Sequence, residues 1–229
     1  MAARKAPNRA VVILLSRELY TALARLPFLQ FIAGTKLIKL YGTLRSDDLR
    51  GALTELMRFT PRAFSMNLRR TETTGAAHKV LSIAVYVSRE MSISDLDWMA
   101  ALQEVITMAK LDWTRDYWVP LPCDDLTGAH RYPAEYGDCV AFTHAVFADL
   151  RVPRWNPQVQ MWEESEELLI APEMGGFYSQ RSPRGGLPTW STKLGHPKVD
   201  RDYLGAWGQM VLWPTHGTVN PSCSIFRNT

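Results

Sequence analysis

Nine cations in the first 79 residues have the chemistry to hold phosphate: Lys36, Lys39, Arg45, Arg50, Arg58, Arg62, Arg69, Arg70 and Lys79. Long cationic side chains at strand ends reach phosphate oxygens, and such contacts give affinity without reading sequence. On a strand through this segment, Arg62, Phe64, Met66, Leu68 and Arg70 share one face, and Arg69 points the other way. A two-stranded ribbon carrying such residues also fits a major groove. The competing reading is a solvated surface whose arginine stems cover apolar atoms.

The charge distribution of the whole chain supports an anionic partner. Net charge is only +3, but residues 1–89 carry 15 Lys/Arg against 5 Asp/Glu, a balance of +10. Residues 90–229 carry 11 against 18, a balance of −7, and the two sums return +3. Such a split points to nucleic acid, DNA or RNA, as the partner of the basic half. The acidic half is then available to protein partners or to self-association. The opposing reading is internal: the acidic half folds onto the basic half and neutralises it.

A second chemistry centres on Cys139, in the stretch Tyr136-Gly137-Asp138-Cys139-Val140-Ala141-Phe142-Thr143-His144. A thiol at the start of an apolar helix is activated by the helix N-terminus, whose free N–H groups also suit an oxyanion. This stretch resembles the cysteine-bearing helix of papain-like and transglutaminase-like hydrolases. The resemblance covers only these few residues. It implies a nucleophilic Cys139 with a histidine base arriving from a later strand, and by position His196 or His216 would serve. His144 lies five residues along the same helix, turned about 140° from Cys139. Against this stands a buried cysteine packing as a small hydrophobe.

Other groups carry less. Asp124 and Asp125 precede His130, and Asp200 and Asp202 form a DxD step, but neither has a second ligand set at metal spacing. Asp124-Asp125 reads as turn chemistry. Arg181 and Arg184 lie between Gly175-Gly176 and Gly185-Gly186, which match neither a P-loop nor a dinucleotide fingerprint. No metal and no cofactor is implied.

The elements that must position these residues follow from periodicity. Residues 1–10 read as a flexible basic arm and 11–229 as one globular domain, basic over 11–89 and acidic over 90–229. A hydrophobic fraction of 46% supplies a core. Leu15, Leu19, Leu23 and Leu26 predict a helix from Val11 to Leu26, bent or ended by Pro27. Ser46, followed by Asp47 and Asp48, predicts the cap of a second helix, with Leu49, Leu53, Leu56 and Met57 as its stripe and Pro61 beyond its end.

Phe64, Met66 and Leu68, then Leu81, Ile83, Val85 and Val87, alternate as the two strands of a hairpin near 62–88, joined through a turn at Thr71–Gly75. Ser94 and Asp97 form a capping box for a helix to about Lys110, with Leu96, Met99, Leu102 and Ile106 inward. A short strand over Tyr117–Leu121, turns over 122–137, a helix over Asp138–Leu150 ended by Pro153, and a strand over Val159–Trp162 before the acidic Glu163, Glu164, Glu166 and Glu167 come next. Residues 171–197 read as an irregular loop, and Trp207–Trp213 as a final strand.

The elements do not alternate as βαβ units, so the expected fold is α+β, an antiparallel sheet flanked by several helices. No run of about 18 apolar residues occurs, which excludes a membrane-spanning helix. The run Val11–Leu15 is too short for a secretory signal. Cys123, Cys139 and Cys223 are odd in number and unpaired in spacing, which suits a reducing compartment such as the cytoplasm. The leading expectation is a non-enzymatic nucleic-acid-associated or assembly protein. A cysteine hydrolase and a peripheral protein on an anionic membrane surface are the alternatives, although no amphipathic helix with aromatic anchors supports the last.

Overall fold

A computed structural model describes residues 26–69, 82–91, 96–178 and 186–200. It is α+β, and its centre is a helix, α1, over Pro27–Tyr41. The expected helix over 11–26 falls almost wholly outside the described residues. Pro27 opens a helix. Leu26 is extended (φ −68°, ψ 123°), as a residue before proline must be, and Pro27 occupies a first-turn position whose N–H would have no helical partner anyway. The α1 sequence PFLQFIAGTKLIKLY has apolar side chains on all sides, so it is stable only when enclosed. Only Pro27 and Leu29 escape full burial.

The expected helix from Ser46 is one turn, α2, over Ser46–Leu49. The cap is Arg45, whose backbone N–H donates to Asp48 Oδ2 at 2.7 Å. The chain then becomes strand β1, Ala52–Phe59. Leu49, Leu53, Leu56 and Met57 mimic helical spacing because β1 is irregular between Leu53 and Arg58, which breaks the two-residue alternation. Pro61 sits in the tight turn to β2, Ala63–Leu68, closed by Thr60 N–H donating to the Ala63 carbonyl.

The expected hairpin is present: β2 pairs antiparallel with β3, Ile83–Ser88, from Ala63↔Ser88 to Leu68↔Ile83. Phe64, Met66 and Leu68 face the core. The predicted link at Thr71–Gly75 lies outside the described residues.

Helix α3, Trp98–Met108, is capped by Asp97 itself, whose Oδ1 accepts from Ala100 N–H at 3.1 Å. Its Met99, Leu102 and Ile106 are buried as expected. It packs on α1 where Gly34 removes a side chain. A Cβ there would stand 2.6 Å from Leu102 Cδ1.

The crossing to β4, Pro120–Pro122, is held by Arg115. Its guanidinium donates to the carbonyls of Leu111, Trp113 and Trp118, and its backbone exchanges bonds with Thr54 of β1. β4 pairs with β5, Ala129–Pro133, inside a region expected to be turns alone. The aspartate turn is there too, with Thr127 N–H and Oγ1 donating to Asp125.

Helix α4, Tyr136–Ala148, starts two residues before the expected Asp138. The helix stops before Leu150, and Pro153, beyond its end, lies within β6, Arg151–Asn156. β6 pairs with β7, Met161–Leu168, so the acidic cluster lies on a strand rather than after one. A two-stranded ribbon leaves faces in water, where carboxylates are tolerated. The stretch expected to be irregular holds a 3₁₀ turn over Pro172–Phe177 and helix α5, Gly186–Lys193. Trp207–Trp213 lies outside the described residues.

One cluster of buried side chains runs from Phe28 to Leu187. Trp118 joins its parts, stacking on Phe31 of α1 at 5.3 Å and meeting Phe64 of β2 edge-on at 6.0 Å. Its Nε1–H donates to Thr35 Oγ1 at 2.7 Å, and that hydroxyl donates to the Phe31 carbonyl. Thr35→Val leaves the indole N–H buried without an acceptor, at a cost of about 1–3 kcal/mol in urea unfolding. Combining it with Trp118→Phe should cost less than the two single changes added together, because the second change removes the orphaned donor.

Candidate functional site

Two of the expected phosphate-binding lysines are not on the surface. Lys36 and Lys39 are 3% and 1% exposed, on consecutive turns of α1. Both border one cleft that opens to solvent. This corrects the expectation of an outward cationic face at these positions. α1 is enclosed all round, so any residue on it is taken inward whatever its charge.

Three elements build the cleft around α1. Thr35, Lys36 and Lys39 come from α1, and Ser46 and Arg50 come from α2 and its end. Tyr117 arrives from the crossing that Arg115 holds, and Tyr136 and Cys139 from the first turn of α4. Lys39 Nζ donates to Ser46 Oγ at 2.8 Å. The Tyr117 hydroxyl is shielded from water and has no hydrogen-bond partner in the structure. Burial raises its pKa, against the pull of Arg115.

The electrostatics follow from desolvation. Burial drives the Lys36 ammonium well below its usual pKa, and the neighbouring Lys39 charge pushes it further. Burial also lowers Lys39 to about 7, resisted by Cys139, Asp48 and Asp47. Cys139 moves upward because it is buried, although Lys36, Lys39 and Arg50 favour its thiolate. The thiol is therefore the resting form. That shift opposes the activation a nucleophile at this helix end requires.

Of the proposed histidine bases, His196 follows α5, its backbone N–H donating to the Ser191 carbonyl. It is not part of the lining of the Cys139 cleft. His216 lies outside the described residues. His144 Nε2 faces the Tyr178 carbonyl at 3.3 Å.

The remaining candidate cations divide into three groups. Arg45 is half-buried at the start of α2. Arg50 is exposed and pairs with Glu135 at 2.8 Å. Arg58, Arg62 and Arg69 are exposed, and none forms an ion pair with another described residue. Arg58 and Arg62 flank the β1–β2 turn. Arg69 lies at the far end of β2, its N–H donating to the Gly51 carbonyl. Arg70 and Lys79 lie outside the described residues.

Internal neutralisation is present in part: Arg50–Glu135 and Arg89–Asp97 both join the basic half to the acidic half. Sequence reasoning missed Thr35, Ser46, Tyr117 and Tyr136 as cleft residues. The available signal was two lysines three residues apart inside an otherwise apolar run.

No protein-family model and no curated protein matches this chain. In fold it is similar to a solved structure, the FLP recombinase–Holliday junction complex I, with a TM-score of 0.51 and 9% identity. The match covers 94% of this chain and 47% of that one, so the chain spans about half the length of the recombinase it resembles.

The lysine burial sets a pH dependence. Lys39 loses its proton near pH 7 when folded but near 10.5 in its unperturbed state, so unfolding takes up a proton between those values. Stability therefore rises with pH across that window, by about 1.4 kcal/mol per pH unit for this group. Lys39→Met should stabilise the protein by roughly 1–4 kcal/mol at pH 6. Urea unfolding as a function of pH should show that advantage shrinking as the pH climbs above 7.

Proposed function

We propose that this chain binds nucleic acid, holding the phosphate backbone through the exposed arginines of the β1–β3 sheet. The observation that carries the reading is the placement of Arg58 and Arg62 at one end of β2 and Arg69 at the other. Seven residues of extended chain separate Arg62 from Arg69, about 23 Å at the rise of a strand. That span covers several phosphate spacings along one strand of a duplex. These arginines are exposed and have no carboxylate partner among the described residues.

The fold likeness supports the same reading. A recombinase solved with a Holliday junction has a similar chain path over 94% of this chain. The reading involves no catalysis by Cys139, whose thiol is pushed away from its reactive form. Contacts of this type give affinity with little sequence preference. In this reading the carboxylates of the β6–β7 ribbon serve protein contacts.

Fluorescence anisotropy with labelled duplex DNA, single-stranded DNA and RNA tests the reading. Log affinity should fall linearly with log salt between about 50 and 200 mM. Each of Arg58→Ala, Arg62→Ala and Arg69→Ala should weaken binding to all sequences alike and reduce the salt slope by about 1. The reading fails if no form of nucleic acid binds at low salt, or if the triple variant keeps the full slope.

A further inference from the structure

The β6–β7 ribbon is built as an arm. Its root is fixed by the buried Leu150 and Ile170 and closed by the Leu169 N–H, which donates to the Leu150 carbonyl at 2.9 Å. At its tip the Gln158 N–H donates to Asn156 Oδ1, and Val159 is exposed. Between root and tip, each strand packs mainly on the other among the described residues. A two-stranded ribbon without a covering layer is marginal by itself, so docking it on a further surface stabilises it.

The charge of the arm states what that surface must carry. Residues 151–168 hold two arginines against four glutamates, a balance of −2. Glu163, Glu166 and Glu167 are exposed, and none forms an ion pair with another described residue. Arg154 stands opposite Glu163 in the ladder without closing such a pair, and Glu163 Oε1 accepts from Asn156 Nδ2 instead. The three carboxylates lie along four residues of strand, about 13 Å.

The complementary surface is on the same chain. Arg58 and Arg62 flank the β1–β2 turn, exposed and without a carboxylate partner among the described residues. Arg58 Nη1 donates to the Glu55 and Met57 carbonyls, which fixes that guanidinium at the turn. Arg69, at the other end of β2, is too far away for one stretch of about 13 Å to reach both ends. The turn end offers two cations and the Arg69 end one.

We propose that the β6–β7 arm docks on the β1–β2 turn of a second copy of this chain, setting Glu163, Glu166 and Glu167 against that copy's Arg58 and Arg62. The proposal rests on the assignment of the ribbon to protein contacts and names the protein. Arm and turn are different patches, so the contact is head-to-tail and each copy keeps one of each unused. Assembly therefore continues past the dimer. The arm also competes with phosphates for Arg58 and Arg62.

Sedimentation velocity of the full chain, freed of nucleic acid, tests this at low salt over a range of concentrations. The protein should associate beyond a dimer as concentration rises, and added salt should reverse it. One variant carries Glu163→Gln, Glu166→Gln and Glu167→Gln; another carries Arg58→Ala and Arg62→Ala. All five positions are exposed, and circular dichroism checks that both variants fold. Each should weaken association by about tenfold or more. Mixed in equal amounts, they should form a one-to-one dimer that grows no further, because only one intact arm and one intact turn remain.

Arg69→Ala should leave association unchanged while weakening nucleic-acid binding, and the glutamine variant should keep the full salt slope for nucleic acid. The two readings therefore fail separately. A chain that stays monomeric throughout, variants that associate like the parent, or a mixture that does not pair overturns the arm–turn contact.

Discussion

A helix with no solvent face carries two ammonium groups, and much of the surrounding structure answers that constraint. α1 is apolar on every side, so α3, α4 and α5 close around it. Lys36 and Lys39 are then held away from water by the same packing that stabilises the core. Asp47 and Asp48 in α2 offset part of the cost at Lys39, and the Ser46 hydroxyl accepts from its ammonium. Both lysines line the same cleft as Cys139 of the first turn of α4. Arg115 shows the alternative solution to the same problem. Its guanidinium donates to main-chain carbonyls of Leu111, Trp113 and Trp118, so its charge holds the α3–β4 crossing together and stays in the folded scaffold.

The charge split along the sequence is resolved in three ways. Some cations of the basic half lean on carboxylates of the acidic half, as Arg50 does on Glu135 and Arg89 on Asp97. Exposed pairs of this kind contribute little stability, about 0–1 kcal/mol each. Others, Lys36 and Lys39, are withdrawn into the core wall. A third set, Arg58, Arg62 and Arg69, stays in water at the two ends of β2. A single net charge for the half-chain combines all three fates, although only the last can meet a partner's surface directly.

Exposed arginines act at long range and are screened by salt, so they suit an extended polyanion. The Cys139 thiol shares a cleft with Lys36 and Lys39 yet is pushed toward its neutral form, because desolvation outweighs their attraction.

Sequence by itself determined the elements whose pattern is local. The alternation of Phe64, Met66 and Leu68 specified the β2–β3 hairpin, and Asp97 with Met99, Leu102 and Ile106 specified α3. The apolar run after Asp138 specified most of α4, and Asp125 with Thr127 specified a turn. Tertiary structure decided the rest. β1 repeats leucines at helical spacing, and only pairing with β2, with its irregularity between Leu53 and Arg58, makes it a strand. β5 has little pattern of its own and exists through β4. Above all, enclosure by α3, α4 and α5 put Lys36 and Lys39 inside while leaving Arg58, Arg62 and Arg69 outside. Charge is written residue by residue, but exposure belongs to the packed molecule, so the same side-chain chemistry acquired different roles only after the chain had folded.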